Sequence, residues 1–406
     1  MIKKPSSYFR WYVLALAGLT YAIVAGASRM CMPVLFKQIG DDLKLSITAI
    51  GTVWGMDPLA GVFIGLPSGL LIDRFGIKRT MTVLCILAGV FGALRGVSGN
   101  FFSLAAIMFL FGFMAAAAPS TVPKATAVWF GDKHLALANG ILIVAMSIGA
   151  MVATQFSATA LSPLLGSWRG VMFLFGGISF ALGLLWLFTG REPDKSENPE
   201  LSADKIPFRQ SISHVMRVKE VWIIGFITLC VWGSSMGFIG YLPLYLRNMG
   251  WTPTSADSVI TVSSGMMLLG SIPMVLLSDK LKSRWGVLMM SIISLAVGLV
   301  LLPWVNTLGV WLVIIIANFL RSGSSSLFNV MLFENKDIGS TYGGTAIGLA
   351  STISMIGAFI APPLGNSLAD INQGLPFVLW AGMAALGIPL MFLIRKKPVL
   401  SNSSSV

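Results

Sequence analysis

A short charged connection between two long apolar segments reads Gly69-Leu70-Leu71-Ile72-Asp73-Arg74-Phe75-Gly76-Ile77-Lys78-Arg79. A weaker copy, which lacks the glycines at the matching positions, follows later in the chain as Leu277-Ser278-Asp279-Lys280-Leu281-Lys282-Ser283-Arg284. Glycines allow a tight turn and a close approach of two helices, and the cations favour one side of a membrane. The repeated connection therefore predicts two related halves embedded in a bilayer.

The composition excludes water as the main solvent of this chain. Hydrophobic residues make up 55% of the sequence and charged residues only 11%, with a mean hydropathy of +0.83. A soluble domain carries about 25% charged residues. Apolar runs of about 18 to 25 residues recur along the chain, which is the length that crosses a bilayer. The first run is too long for a signal peptide, so we interpret it as a spanning helix.

Run length predicts twelve spanning helices, at residues 10–36, 46–72, 78–97, 101–130, 135–160, 168–190, 219–247, 254–278, 286–304, 308–333, 340–365 and 374–394. Residues 191–218 form a long polar connection with three prolines, which predicts a cytoplasmic linker between six-helix bundles at 1–190 and 219–406. Three segments correspond in order between the bundles at nearly constant offset, beginning with Pro33 and Pro243. The fold class is therefore an all-α integral membrane protein built by duplication.

Lysine and arginine are distributed unevenly over the predicted connections. With both termini placed in the cytoplasm, 20 of the 28 fall on the cytoplasmic side. Five fall in external loops or at helix ends: Lys37, Lys44, Arg95, Arg169 and Arg247. Because cations resist translocation, this bias predicts a multi-pass protein of the cytoplasmic (inner) membrane with both termini inside.

The chain resembles the major facilitator superfamily of secondary transporters over essentially its whole length. The resemblance rests on the 69–79 connection, on Trp168-Arg169 before the sixth span, and on Gly357…Pro362-Pro363-Leu364-Gly365…Asp370. It implies two pseudo-symmetric bundles and, in the outward-open state, a latch at the charged connection. That assigns gating to these residues: Gly69, Asp73, Arg74, Gly76, Lys78, Arg79, Asp279 and Lys280. Turn chemistry and membrane orientation alone are the alternative explanation of the connection.

Three cations lie inside predicted spans and away from the span ends that face loops: Arg29, Lys124 and Arg321. A charge near the bilayer centre costs about 2.5 kcal/mol or more, so each should face a partner or a cavity. Asp57 is the one acid that we place clearly inside the membrane. We therefore expect an electropositive interior that binds an oxyanion, with Arg321, Arg29, Lys124 and Asn318 as substrate-binding residues.

Two of these cations also have a structural interpretation. Arg29 and Asp57 lie at comparable predicted depths, so an ion pair competes with substrate binding at Arg29. Lys124 is close enough to its helix end for its ammonium group to reach the headgroups. Arg321 is the deepest of the three, and the small polar residues around it favour a wet site.

The segment Ser28-Arg29-Met30-Cys31-Met32-Pro33 resembles the first helix of the anion:cation symporters, which implies an organic anion as substrate. An acid usually precedes the arginine in that family, and Ser28 stands at this place here. Asp57 is the intramembrane carboxyl of the first bundle that could couple a proton. Proton symport, anion exchange and facilitated diffusion therefore all remain open.

Nothing in the sequence indicates an enzyme. His134 and His214 have no paired Ser or Cys, and no glycine-rich phosphate loop is present, so we expect neither catalytic residues nor a cofactor. Cys31, Cys85 and Cys230 lack the spacing of metal ligands. No basic stripe is interleaved with aromatics, so nucleic acid is not an expected partner.

The sequence therefore predicts a monomeric secondary active or facilitative transporter that moves a small organic anion, a carboxylate above all, across the lipid bilayer by alternating access. The alternatives are a nitrate-type porter of inorganic anions, a metabolite or drug efflux carrier, and a membrane sensor that transports nothing. Efflux carriers of the superfamily often carry Gly-Pro in helix five, and Gly149-Ala150 lacks this proline, which counts against export.

Overall fold

A computed structural model of the protein describes residues 7–65, 75–130, 132–191 and 208–394. Within these ranges the regular structure is entirely helical, and twelve helices are long and apolar enough to cross a membrane. We number them as spans 1 to 12: Tyr8–Leu43, Ile47–Ile64, Ile77–Val97, Phe101–Ala127, His134–Leu164, Trp168–Thr189, Lys219–Asn248, Pro253–Lys280, Arg284–Trp304, Thr307–Phe333, Thr341–Asn366 and Leu375–Leu393. A short helix, Phe208–Val215, precedes span 7 within the polar connection. The prediction of twelve helical spans is confirmed.

Polar side chains fix the starts of six spans. Each accepts a hydrogen bond from the backbone N–H three residues further on: Ser46, Asn100, Ser167, Thr252, Ser283 and Asn306. Such caps satisfy donors that have no partner inside the helix. These residues also interrupt the apolar runs, which is why run length alone predicts these starts closely.

Span 1 is longer than predicted. The apolar run suggests an end near residue 36, but the helix continues to Leu43. Its last turns keep Ile39 and Gly40 buried, and Lys37 pairs with Asp41 one turn later on the exposed face. The helix then ends at Lys44, which adopts a left-handed conformation with φ of 53°. Amphipathic pairing therefore extends this span beyond its apolar run.

Span 10 is interrupted, although the sequence predicts one continuous helix. One helix ends at Arg321 and the next runs from Ser324 to Phe333. Gly323 between them has φ of 76°, a conformation that is costly for any residue with a Cβ. The interruption divides the span near its middle, and Arg321 is the last residue before it.

Glycines bring equivalent spans together in each half. Gly149 of span 5 leaves no room for a Cβ against the backbone of Ala22 in span 1. Gly357 of span 11 is packed in the same way against Leu229 of span 7. Gly140 behaves differently, because no heavy atom of the described residues lies within 4 Å of a Cβ built there. Only the second glycine of span 5 is therefore a packing contact.

Residues 7–191 and 208–394, which we call the first and second halves, meet at the ends of the spans remote from the polar connection. Gly51 of span 2 packs directly on Pro362 of span 11. Hydrogen bonds also join the halves there, between Trp54 and Met236, Thr154 and Thr261, Gln155 and Ser258, Val34 and Arg247, and Ile47 and Asn366. These contacts hold the two halves together at this end, and the packing of spans 2 and 11 continues from there to Gly61 and Met355.

The predicted gating residues are only partly within the described ranges. Gly69, Asp73 and Arg74 lie outside them. Gly76 has φ of 82° and directly precedes span 3, where Lys78 and Arg79 occupy the first turn. The corresponding Asp279 and Lys280 are exposed at the end of span 8. The glycine requirement of the turn is thus visible at Gly76, and the latch itself stays a prediction.

Candidate substrate site

Arg321 lies in the middle of span 10, immediately before the interruption, and only 3% of its surface is exposed. Its Nη1 donates to Ser235 Oγ of span 7 at 2.8 Å. Its Nη2 donates to Asn318 Oδ1 at 3.2 Å and to Met267 Sδ at 3.0 Å. None of the ion pairs between described residues includes Arg321. Neutral acceptors therefore hold a buried guanidinium whose positive charge no described residue balances.

The acceptors around Arg321 are themselves oriented by the helices. The Ser235 hydroxyl donates to the carbonyl oxygen of Val231 at 2.7 Å, and the Asn318 side-chain amide donates to that of Ile314 at 2.9 Å. These bonds fix each side chain so that its oxygen accepts from the guanidinium. Asn318, predicted as a substrate-binding residue, lies beside Arg321 and orients it, and is not part of the cavity wall.

A cavity of about 140 Å³ opens beside Arg321 between spans 7, 8, 10 and 11. Polar groups line part of it: Thr228, Ser324, Ser325, Asn329, Ser351 and Ser354. Trp232 and Phe328 contribute apolar wall. The lining residues all belong to the second half, so Arg29 and Lys124 are not among them. A buried cation, several hydroxyl groups and an aromatic wall suit a small polar anion with a short organic chain.

Arg29 forms an ion pair with Asp57, through its Nε and Asp57 Oδ2. Asp57 is completely buried, whereas 20% of the Arg29 side chain remains exposed. The predicted ion pair between these residues is therefore present, and it joins spans 1 and 2. The guanidinium of Arg29 thus already has a carboxylate partner, whereas that of Arg321 has none among the described residues.

Arg95 is a buried cation that run length does not reveal. We expect it in an external loop or at a helix end; it does end span 3, but its side chain is fully enclosed. Its Nη1 donates to the carbonyl oxygen of Ser28 at 2.8 Å, and its guanidinium lies 4.1 Å from the centre of the Phe111 ring. Carbonyl and ring contacts keep this cation inside the first half. Residues distant in sequence supply them, so no local signal predicts the burial.

A second buried pair joins Arg247, at the end of span 7, to Asp257 in the first turns of span 8. Arg247 Nη2 lies 2.5 Å from Asp257 Oδ1, and the two side chains are 7% and 0% exposed. Arg247 Nη1 also donates to the carbonyl oxygen of Val34 in the first half at 2.6 Å. Asp57 is therefore not the only enclosed acid. The sequence does contain a signal for this pair, because Arg247 and Asp257 stand ten residues apart on either side of the connection between spans 7 and 8.

Lys124 is half-buried in the last turn of span 4. That position fits the alternative in which its stem packs on the helix and its ammonium group reaches toward the membrane surface. Of the predicted substrate-binding residues the structure therefore brings Arg321 to the cavity, with Asn318 supporting it from behind the cavity wall. Arg29, Asp57 and Lys124 lie elsewhere, in the first half.

A family model described as Major Facilitator Superfamily matches residues 17–336 and 225–406 of the chain. The chain belongs to the major facilitator superfamily. The predicted family is thereby confirmed, and this protein is a multi-pass membrane transporter whose described residues form twelve helical spans.

Similar proteins have names that state different substrates. The chain is 22% identical to the probable sulfoacetate transporter SauU of Cupriavidus necator over 97% of this chain and 95% of that protein. It is also 22% identical to the probable galactarate/D-glucarate transporter GudP of Bacillus subtilis, over 96% and 92%. Multidrug resistance protein 1 of Bacillus subtilis is 24% identical over 87% and 88%.

The fold is also similar to that of a solved transporter. The inward-facing, unoccupied structure of a bacterial homologue of the human lysosomal transporter Spinster matches with a TM-score of 0.77. The match covers 96% of this chain and 97% of that one, at 16% sequence identity. At this identity the likeness shows the common fold only.

Proposed function

We propose that this major facilitator protein carries a small organic anion across the cytoplasmic membrane and binds it at Arg321. The observation that carries the proposal is the buried guanidinium of Arg321, which has only neutral partners among the described residues and lines a cavity that also carries several hydroxyl groups. A buried charge without a counter-ion is costly, and a bound carboxylate or sulfonate would remove that cost by supplying the missing charge.

The relatives support an anionic substrate class. Sulfoacetate and glucarate differ in size and in the number of hydroxyl groups, and what they share is an oxyanion at each end. A single guanidinium can bind either a carboxylate or a sulfonate through forked hydrogen bonds. The hydroxyl-bearing side chains around the cavity can then hydrogen-bond the remainder of such a molecule.

Binding to purified protein tests this proposal directly. We expect sulfoacetate, D-glucarate or galactarate to bind to and thermally stabilise the protein, whereas the neutral sugar glucose does not. Arg321→Gln should weaken anion binding by about 10-fold to 100-fold, because charged hydrogen bonds contribute about 1.5–3 kcal/mol each. Arg284→Gln is the matched control, since Arg284 pairs with Glu334 outside the cavity. Unchanged anion affinity in Arg321→Gln would remove Arg321 from the site.

Alternating access is proposed to use bundles 1–190 and 219–406, with the 69–79 connection as a latch and both termini in the cytoplasm. Asp73→Asn should then impair flux into proteoliposomes while membrane insertion stays normal. A reconstituted protein that binds anions but carries none would support the sensor alternative instead.

Export is the second candidate, which the likeness to multidrug resistance protein 1 favours. The Gly149-Ala150 pair and the unbalanced Arg321 count against a hydrophobic or cationic drug as cargo. Flux measured in proteoliposomes of known protein orientation separates the directions. Accumulation of labelled ethidium, rather than of an organic anion, would establish the efflux alternative.

Proton coupling is proposed to involve Asp57, the buried carboxyl of the first half. A proton on Asp57 would release its ion pair with Arg29, which would couple protonation to the packing of spans 1 and 2. Asp57→Asn should then abolish pH-driven accumulation of the anion while anion exchange continues. If pH-driven accumulation survives this substitution, Asp57 does not carry the proton.

A further inference from the structure

The interruption of span 10 creates a helix N-terminus in the middle of the span. The helix Ser324–Phe333 is ten residues long, and its first backbone hydrogen bond runs from Leu327 N to Gly323 O at 3.0 Å. The N–H groups of Ser324, Ser325 and Ser326 precede that bond and have no partner within the helix. Gly323, at the capping position, has no side chain that could accept from them. This helix therefore begins with free donors and the positive end of its dipole.

The same place holds an independent feature that points to an anion. Arg321 is 3% exposed, lies on the other side of the interruption, and has no carboxylate partner among the described residues. Its Nε is buried and makes no hydrogen bond to any of them. Arg321, Ser324 and Ser325 all line the one cavity. The guanidinium of Arg321, which keeps one N–H without a partner among the described residues, and the start of this helix therefore border the same cavity.

The rest of the cavity distinguishes its two sides. Ser325 and Asn329 are exposed on the same face of this helix, one turn apart, and both line the cavity. Trp232 and Phe328 line it as well and offer apolar surface for a carbon chain. The lining therefore combines donors that suit a charged head with apolar surface that suits the remainder of a small organic molecule.

We propose that the N-terminus of the helix Ser324–Phe333, together with Arg321, binds the oxyanion head of the substrate, a carboxylate or a sulfonate. This proposal rests on the proposed function and assigns the head group to one side of the cavity. Backbone N–H groups of Ser324 and Ser325 donate to the oxyanion, and the guanidinium supplies the opposite charge. Gly323 has a role in binding because its left-handed backbone is what separates the two helices and frees these donors.

Proline substitution tests the backbone donors. Ser325→Pro removes one N–H at the second position of the helix, where proline is already found at Pro376 in span 12. Its affinity for sulfoacetate and D-glucarate should be about 10-fold lower than that of Ser325→Ala, which lacks the same hydroxyl but keeps the N–H. Leu308→Pro is the control, because Leu308 has the same position in the helix Thr307–Arg321 and is exposed. Equal affinities of Ser325→Pro and Ser325→Ala would overturn the proposal.

A charge substitution decides the matter if Ser325→Pro fails to fold. Ser325→Asp places a carboxylate at the helix N-terminus, where it stabilises the helix and occupies the donors. Asn329→Asp adds the same charge to the same cavity one turn further along. We expect Ser325→Asp to weaken anion binding about 10-fold more than Asn329→Asp does. Equal losses would show that only the net charge of the cavity matters, which contradicts the proposal.

The two proposals fail in different ways. If Arg321→Gln loses the anion and both Ser325 comparisons show no difference, the head-group assignment is wrong and anion transport stands. If the unmodified protein binds none of the anions, the proposed function is wrong and the head-group assignment falls with it.

Discussion

Substitutions at the Arg29–Asp57 pair can show whether Arg29 stabilises the fold or binds the substrate. Replacing Arg29 by Gln leaves a completely buried carboxylate without its cation, whereas replacing Asp57 by Asn leaves a cation whose side chain is 20% exposed. Removing one member of a buried pair costs about 3–5 kcal/mol. We expect Arg29→Gln to approach that range. Asp57→Asn should cost clearly less, because Arg29 can still reach solvent.

The double variant Arg29→Gln/Asp57→Asn completes the cycle. It removes both members of the pair, so neither is left charged without its partner, and its loss of stability should be smaller than the sum of the single losses. The difference, the coupling energy, should be about 2–3 kcal/mol after allowance for the exposure of Arg29. Neighbours in direct contact commonly couple by amounts of this size, so the value is large enough to measure.

Unfolding of the purified protein in mixed detergent micelles, followed by tryptophan fluorescence, gives the four free energies of the cycle. Lys37 and Asp41 form the control pair in the same span, with side chains that are 44% and 68% exposed. Because water screens that pair, its coupling energy should be below about 0.5 kcal/mol. A coupling energy equally small at Arg29–Asp57 would refute the structural role of this pair.

Anion binding by the same variants answers the remaining question about Arg29. If the guanidinium only supports the fold, the double variant should be stable and should bind sulfoacetate or D-glucarate as the unmodified protein does. A stable double variant that no longer binds the anion would instead place Arg29 in contact with substrate.

Three further predictions follow from the packing. Arg95→Met should destabilise the protein by about 1–3 kcal/mol in the same unfolding assay, because the Ser28 carbonyl loses its buried donor; a change within experimental error would contradict that contact. Gly149→Leu should prevent folding, measured as the yield of monodisperse protein, whereas Gly140→Leu should be tolerated; equal yields would show that span 5 does not pack at Gly149. Arg247→Gln should weaken the contact of the halves at Val34 and change the rate of anion flux more than the affinity; an altered affinity with normal flux would argue against this view.

The number and order of the spans could be read from the sequence because a bilayer imposes a length on each apolar run. Polar caps such as Ser46 and Asn306 interrupt those runs, so the predicted starts lie close to the observed ones. The predicted end of span 1, near residue 36, is wrong because the last turns of the helix are amphipathic and continue to Leu43. The sequence does not predict the break in span 10, because a single glycine among serines does not reveal that the backbone of Gly323 is left-handed.

The sequence by itself determined that cations lie inside the membrane, since Arg29 and Arg321 fall within long apolar runs and charge there is costly. It also identified the acid that could pair with Arg29. Only the tertiary structure decided which cation is balanced. Arg29 meets Asp57 from the next span, while Arg321 meets Ser235 and Asn318, which carry no charge. The physical reason is that charge compensation depends on contacts within a few ångströms between spans, and the order of residues along the chain does not record those contacts.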